Sequence, residues 1–152
     1  MDLIKIKNIA IQEFKHDINS LHGIQHWNEV YENGLILGKQ QFVDLPVVIA
    51  FAFLHDCKRT SDAPCVAHGP EAAQFIETLT PSDLELNPTQ HQVLIQACKG
   101  HTLGTITDHP TIGACWDADR LDLLRIGITP HESLMSTEFG KILARKLTKY
   151  HK

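Results

Sequence analysis

Residues 44–62 read DLPVVIAFAFLHDCKRTSD. From Leu45 to Leu54 every residue except Pro46 is apolar, and the run ends on His55 and Asp56. A helix that is apolar on all sides is buried on all sides. The run is too short to span a bilayer, which takes about 20 residues. Asp44 is placed to cap a helix, and Pro46 is tolerated in its first turn. Val48, Ala52 and His55 follow at i, i+4 and i+7, so His55 continues the buried stripe. Asp56 lies about 100° further round the helix. An ionised carboxylate at the inner end of a core helix costs several kcal/mol unless it is paired or bound to a metal. His55 and Asp56 are therefore candidate metal ligands, and other segments must supply the rest of the shell.

On the N-terminal side, residues 3–18 carry Ile4, Ile11, Phe14 and Ile18, a helical stripe with Lys and Glu on the other side. Ser20 is expected to cap a second helix running to about Gly38. That helix contains HGIQHWNEVYENGL. His22 and His26 are four apart and share a face, and His26 lies on an inward stripe with Val30 and Leu37.

On the C-terminal side, the central helix should end near Lys58 and Arg59. These two either hold phosphate oxygens or face water at a helix C-terminus. TSDAP is a loop. HGPEAAQFIETL starts a fourth helix, with Pro70 in its first turn, Ala72, Phe75, Ile76 and Leu79 as its buried face, and His68 in the loop before it. Asn87 and Pro88 open a fifth helix. Its apolar stripe, Leu94, Ala97 and Cys98, ends on the polar His101. HTLGTITDHP is a loop. Pro110 then opens TIGACWDADRLDLLRIGI, in which Ile112, Trp116, Asp119, Leu123 and Ile126 form one seam. Periodicity favours Asp119 as the inward carboxylate without excluding Asp117, and Arg120 is expected to pair with Asp117 rather than touch substrate. TEFGKILARKLTKYHK is a basic final helix with a frayed end. No β-alternation persists, so the chain is expected to be all-α. With 152 residues it is expected to be a single helical domain over 1–152.

A formal charge of −4 gives no basic footprint, so no nucleic-acid polymer is expected as partner. The N-terminal stretch MDLIKIKNIAIQEFKHD is interrupted by Lys and lacks a small-residue cleavage site. A cytoplasmic protein without a membrane partner is expected. Cys57, Cys65, Cys98 and Cys115 form no close pair and are expected to be reduced core residues rather than a disulfide or zinc site. No pattern encodes an oligomeric state. Ten histidines are the unusual feature of the composition.

Four inward-facing polar residues thus stand in the order His26, His55–Asp56, Asp119, on three helices. In this the chain resembles the HD superfamily of metal-dependent phosphohydrolases, named for its His…His-Asp…Asp pattern. The matching pieces are HWNEV at 26–30, HDCKR at 55–59 and DADRLD at 117–122. The resemblance runs over roughly residues 20–126, and it implies a helical bundle of the HD type. Relatives carry the last metal Asp in an A-D-R-L type segment, which matches Asp119. HGPEAA and GHT look like segments of relatives that add two histidines and bind a second metal. Here those are His68 and His101, with Asp56 as the bridge.

Imidazole and carboxylate donors without thiolate suit Mn²⁺, Fe²⁺, Zn²⁺, Co²⁺ or Ni²⁺ better than Ca²⁺. One ion, or two, lowers the pKa of bound water toward ~7 and neutralises charge on phosphate oxygens. The expected activity is hydrolysis of a small-molecule phosphomonoester or phosphodiester, such as a nucleotide. Asp56, His68, His101, Lys58 and Arg59 are the candidate catalytic residues, with His68 and His101 either ligating or acting on substrate. The alternatives are a non-catalytic regulatory module that retains its metal, and a di-iron oxygenase of HD fold. Loops 60–67 and 101–110 are expected to shape the pocket. No P-loop, G-x-S-x-G or Rossmann fingerprint competes.

Overall fold

The structure is a computed structural model that describes residues 1–150. Among the described residues there are seven α-helices and no strand: α1 (Leu3–Glu13), α2 (Ile24–Leu37), α3 (Leu45–Leu54), α4 (His68–Glu77), α5 (Pro88–Gly100), α6 (Pro110–Leu121) and α7 (Glu138–Tyr150). Short 3₁₀ turns extend α5 and α6. The all-α expectation holds. The expected fraying of the last helix concerns residues 151–152, which lie outside the described residues.

Helix α3 is the centre, packed against α1, α2, α5 and α6. From Val47 to Leu54 only Ile49 is not fully buried, which is why this helix carries no polar face. Its first turn has Pro46, as the sequence indicates. The Asp44 carboxylate caps no backbone N–H; it accepts from Gln90 Nε2 at 3.0 Å and ties the start of α3 to the start of α5. Gln90 also completes the Asn87 capping box that opens α5. Trp116 Nε1 donates to the Ala97 carbonyl at 2.9 Å and fixes α6 on α5.

Three local expectations are corrected. In α1 the buried face is Ile6, Ala10 and Phe14, while Ile4 and Ile11 are exposed. The helix carries two apolar stripes, and the one with the small Ala10 allows the closer approach to α3. The helix also stops at Glu13, capped at its start by Asp2, so Ile18 is out of register. Helix α2 begins at Ile24 with Gly23 as N-cap, not at Ser20. Residues 18–23 instead wind a tight turn in which the Ile24 N–H donates to the Ile18 carbonyl at 2.9 Å. A Cβ at Gly23 would stand 2.0 Å from that carbonyl oxygen, so only glycine fits. Finally, Cys57, Cys98 and Cys115 are buried free thiols, but Cys65 is exposed.

Candidate metal centre

Five helix ends point at one place. His26 lies in the first turn of α2, His55 and Asp56 directly follow α3, and His68 opens α4. His101 directly follows α5, and Asp119 is in the last turn of α6. His68 was expected in a loop; it is instead the first helical residue, and it is buried.

The donor atoms form two groups that share Asp56. In the first, His26 Nε2 is 3.0 Å from His55 Nε2 and 3.2 Å from Asp119 Oδ1. Asp56 Oδ2 is 3.4 Å from His26 Nε2 and 3.5 Å from His55 Nε2. In the second, His68 Nε2 is 3.1 Å from His101 Nε2. Asp56 Oδ1 is 3.0 Å from His68 Nε2 and 3.5 Å from His101 Nε2. Ligands about 2.0–2.2 Å from an ion stand roughly 3.0–3.6 Å apart at octahedral or tetrahedral angles. Both groups have that spacing.

Protonation points the same way. His26 Nδ1 faces Asp122 Oδ2 at 2.6 Å, His55 Nδ1 faces the Phe51 carbonyl at 3.0 Å, and His101 Nδ1 faces the Cys98 carbonyl at 2.6 Å. Carbonyls and carboxylates only accept, so each Nδ1 carries the hydrogen. In its neutral form each ring then turns its Nε2 lone pair inward. Lone pairs 3 Å apart repel unless a proton or a cation lies between them. The buried His and Asp residues therefore fit a metal ion.

The charges are strongly coupled. Burial raises the pKa of Asp56 and of Asp119, yet the surrounding histidines reverse this and hold both carboxyls well below their ordinary range. Burial lowers the His26 pKa, but Asp119, Asp122 and Asp56 outweigh it and raise it well above the usual imidazole value. His55 is also raised, against its burial, chiefly by Asp56. His101 is lowered, because burial prevails there.

The cluster opens onto a cavity of about 300 Å³. Pro64, Cys65 and Val66 of the 60–67 loop line it, as do Thr102, Arg59 and Leu123. Leu123 lies in the 3₁₀ turn after α6, which was not expected to contribute. Arg59 is buried, and its Nη1 donates to the Ser61 and Ala63 carbonyls at 3.2 and 3.0 Å. Its Nε has no hydrogen-bond partner and lies 3.6 Å from Asp56 Oδ2.

Lys58, a candidate catalytic residue expected either to hold phosphate or to face water, does not line this cavity. Its ammonium pairs with Glu13 at 2.9 Å and lies over the Phe75 ring, because the turn after α3 sends it toward α1. Asp117 is also absent from the cluster. It is buried and accepts from the backbone N–H groups of Ser136 and Thr137 and from the Thr137 hydroxyl, at 2.7–2.8 Å. Arg120 does not pair with Asp117; its Nη1 donates to the Leu134 carbonyl at 2.7 Å.

Two residues near the centre were not among the candidates. Asp122 orients His26, and its spacing of three from Asp119 was the available signal. His22 Nδ1 lies 3.3 Å from Asp56 Oδ2. Its four-residue spacing from His26 was visible, but a shared helical face is not the cause, since His22 precedes α2.

No protein-family model matches the chain, and no curated protein matches it. Among solved structures the chain is similar to a predicted HD superfamily hydrolase from an uncultured Thermotogales bacterium. The two are 26% identical with a TM-score of 0.75, over 97% of this chain and 86% of the other. The fold is therefore of the HD type, and the His/Asp cluster fits an HD-type metal site. Among the described residues no helix is long and apolar enough to cross a membrane.

Proposed function

We propose that this chain is a metal-dependent phosphohydrolase acting on a phosphomonoester or phosphodiester of small-molecule size, such as a nucleotide. The observation that carries the proposal is the position of Asp56, with Oδ2 toward His26 and His55 and Oδ1 toward His68 and His101. A buried carboxylate between two imidazole pairs is costly without cations. Similarity to a predicted HD superfamily hydrolase supports the hydrolytic class. The proposal takes residues 1–152 as one helical domain.

His26, His55, Asp56 and Asp119 would hold a first divalent transition ion, and His68 and His101 would share Asp56 with a second. Such ions supply Lewis acidity and lower the pKa of bound water. The chain's own groups do the rest. Arg59, anchored by two loop carbonyls, lines the cavity and sets its buried Nε 3.6 Å from Asp56 Oδ2, where its charge offsets that of the carboxylate. Asp122 keeps the proton on His26 Nδ1, and the Phe51 and Cys98 carbonyls do the same for His55 and His101. Val66, Pro64 and Leu123 give the organic part of the substrate an apolar wall. The cavity has the size of a small-molecule site.

The test is elemental analysis of the purified protein, followed by assay of a panel of phosphate esters with Mn²⁺, Fe²⁺, Zn²⁺, Co²⁺ and Ni²⁺. Phosphate release that a chelator abolishes is the expected result. Iron-dependent oxygen consumption without phosphate release would instead mark a di-iron oxygenase. Bound metal with neither activity would mark a regulatory module.

A further inference from the structure

Asp56 Oδ2 is a crowded atom. Besides the two imidazoles of the first group, it has His22 Nδ1 at 3.3 Å and Arg59 Nε at 3.6 Å. A carboxylate oxygen offers two lone-pair directions. When one is used by an ion, the other is free for a donor, and donors of this kind orient metal ligands.

The chain goes to some length to place His22 there. Its backbone N–H and that of Leu21 both lie 3.3 Å from the Asp62 carboxylate, in the loop after α3. His16 Nε2 reaches the same carboxylate at 3.6 Å. The tight turn ahead of α2 closes only because Gly23 has no side chain. The His22 ring packs edge-on against His26 with centroids 5.6 Å apart, and it lines the cavity. The turn at 18–23 and the loop at 60–63 are thus clamped together around this ring.

We propose that His22 is a positioning residue of the metal centre: its Nδ1–H donates to Asp56 Oδ2 and fixes the carboxylate so that each oxygen serves its own imidazole pair. This rests on the metal-centre reading above. It assigns His22 a role through Asp56 and none as a direct ligand.

Asparagine places an amide nitrogen near the position of a histidine Nδ1, and glutamine near that of Nε2. H22A, H22N and H22Q therefore separate the atoms. The measurement is Zn²⁺ affinity of the EDTA-stripped full chain, by competition with a chromophoric chelator, alongside circular dichroism and melting of the metal-free protein. Affinity should fall about tenfold or more in H22A and H22Q, with the metal-free helical signal and melting unchanged. H22N should recover most of the loss. Unchanged affinity in H22A overturns the proposal. So does an H22N as weak as H22A, which would make the ring a direct ligand. A helical signal lost in all three variants would make His22 a folding residue and also overturn it. Wild type that takes up no Zn²⁺ removes the metal-centre reading itself, whereas wild-type binding matched by H22A removes only this inference.

Discussion

Asp122 Oδ2 lies 2.6 Å from His26 Nδ1 and 2.9 Å from Arg125 Nε. One carboxylate thus sets the tautomer of a cluster histidine and is itself held by an arginine. Asp122→Ala leaves His26 Nδ1–H without its acceptor and frees the ring to turn. Metal affinity should fall roughly 10–100-fold, read by chelator competition. Wild-type affinity in this variant would mean that the carboxylate does not govern the ring.

Asp56→Ala removes the atom pair that both groups share. Metal-dependent hydrolysis should fall by at least about 10²-fold, since metal stabilisation of the transition state is worth several kcal/mol. The helical fold should persist at reduced stability, because Arg59 and the surrounding imidazoles lose the carboxylate they face. Phosphate release at the wild-type rate would end the phosphohydrolase proposal.

His101→Ala tests the second ion. The distances given for His68 and His101 run to Asp56 Oδ1, and those for His26 and His55 to Oδ2. Metal content should drop from two equivalents per chain to one, by elemental analysis. One equivalent in wild type, unchanged in the variant, would leave a single-ion centre with His68 and His101 free to contact substrate.

Acidification should strip the metal. Carboxylates hold the His26 and His55 pKa values above the ordinary imidazole value despite burial. Protons therefore compete with the ion up to a higher pH than for a free imidazole, near 6.5. Binding should release protons at neutral pH, seen as a buffer-dependent heat in calorimetry. The metal-free protein should behave oppositely. A raised histidine pKa contributes stability that is fully present below the unfolded value and lost as pH rises through the folded value. Its melting temperature should thus rise as pH falls from 8 toward 6, His26 and His55 outweighing the opposite contribution of His101, while the metal-loaded form loses stability. Parallel slopes for the two forms would contradict this assignment of charge.

Asp117→Ala should act on stability alone. It strands the N–H groups of Ser136 and Thr137 at the approach to α7, at a cost of about 2–4 kcal/mol. The Asp117 carboxyl also stands where a Cβ on Gly140 would be, 2.1 Å away, so α7 packs closely on it. Denaturant unfolding should show the loss, with metal content unchanged. Reduced metal content in a folded variant would return Asp117 to the cluster.

Periodicity is a local property, and it carried what is local. The unbroken apolar run after Asp44 marks α3 as the central helix because no face of it can meet water. Asn87 and Pro110 mark helix starts because caps depend on adjacent residues alone. Helical spacing also favoured Asp119 for the cluster, although Asp117, on another face of α6, is the more deeply buried of the two. Whether Ile4 or Ile6 faces inward depends on how closely α1 approaches α3, which no spacing within α1 contains. Lys58 faces Glu13 because of the turn after α3, and Asp117 serves a segment about twenty residues downstream. His22 and Asp122 gain their places from two clamped loops and from the crossing of α2 over the end of α6. The sequence by itself determined that the chain is helical and which residues end the buried stripes of α3 and α5. Which donor atoms meet was decided by helix crossing and loop closure, because those set separations between residues that the helical repeat does not relate.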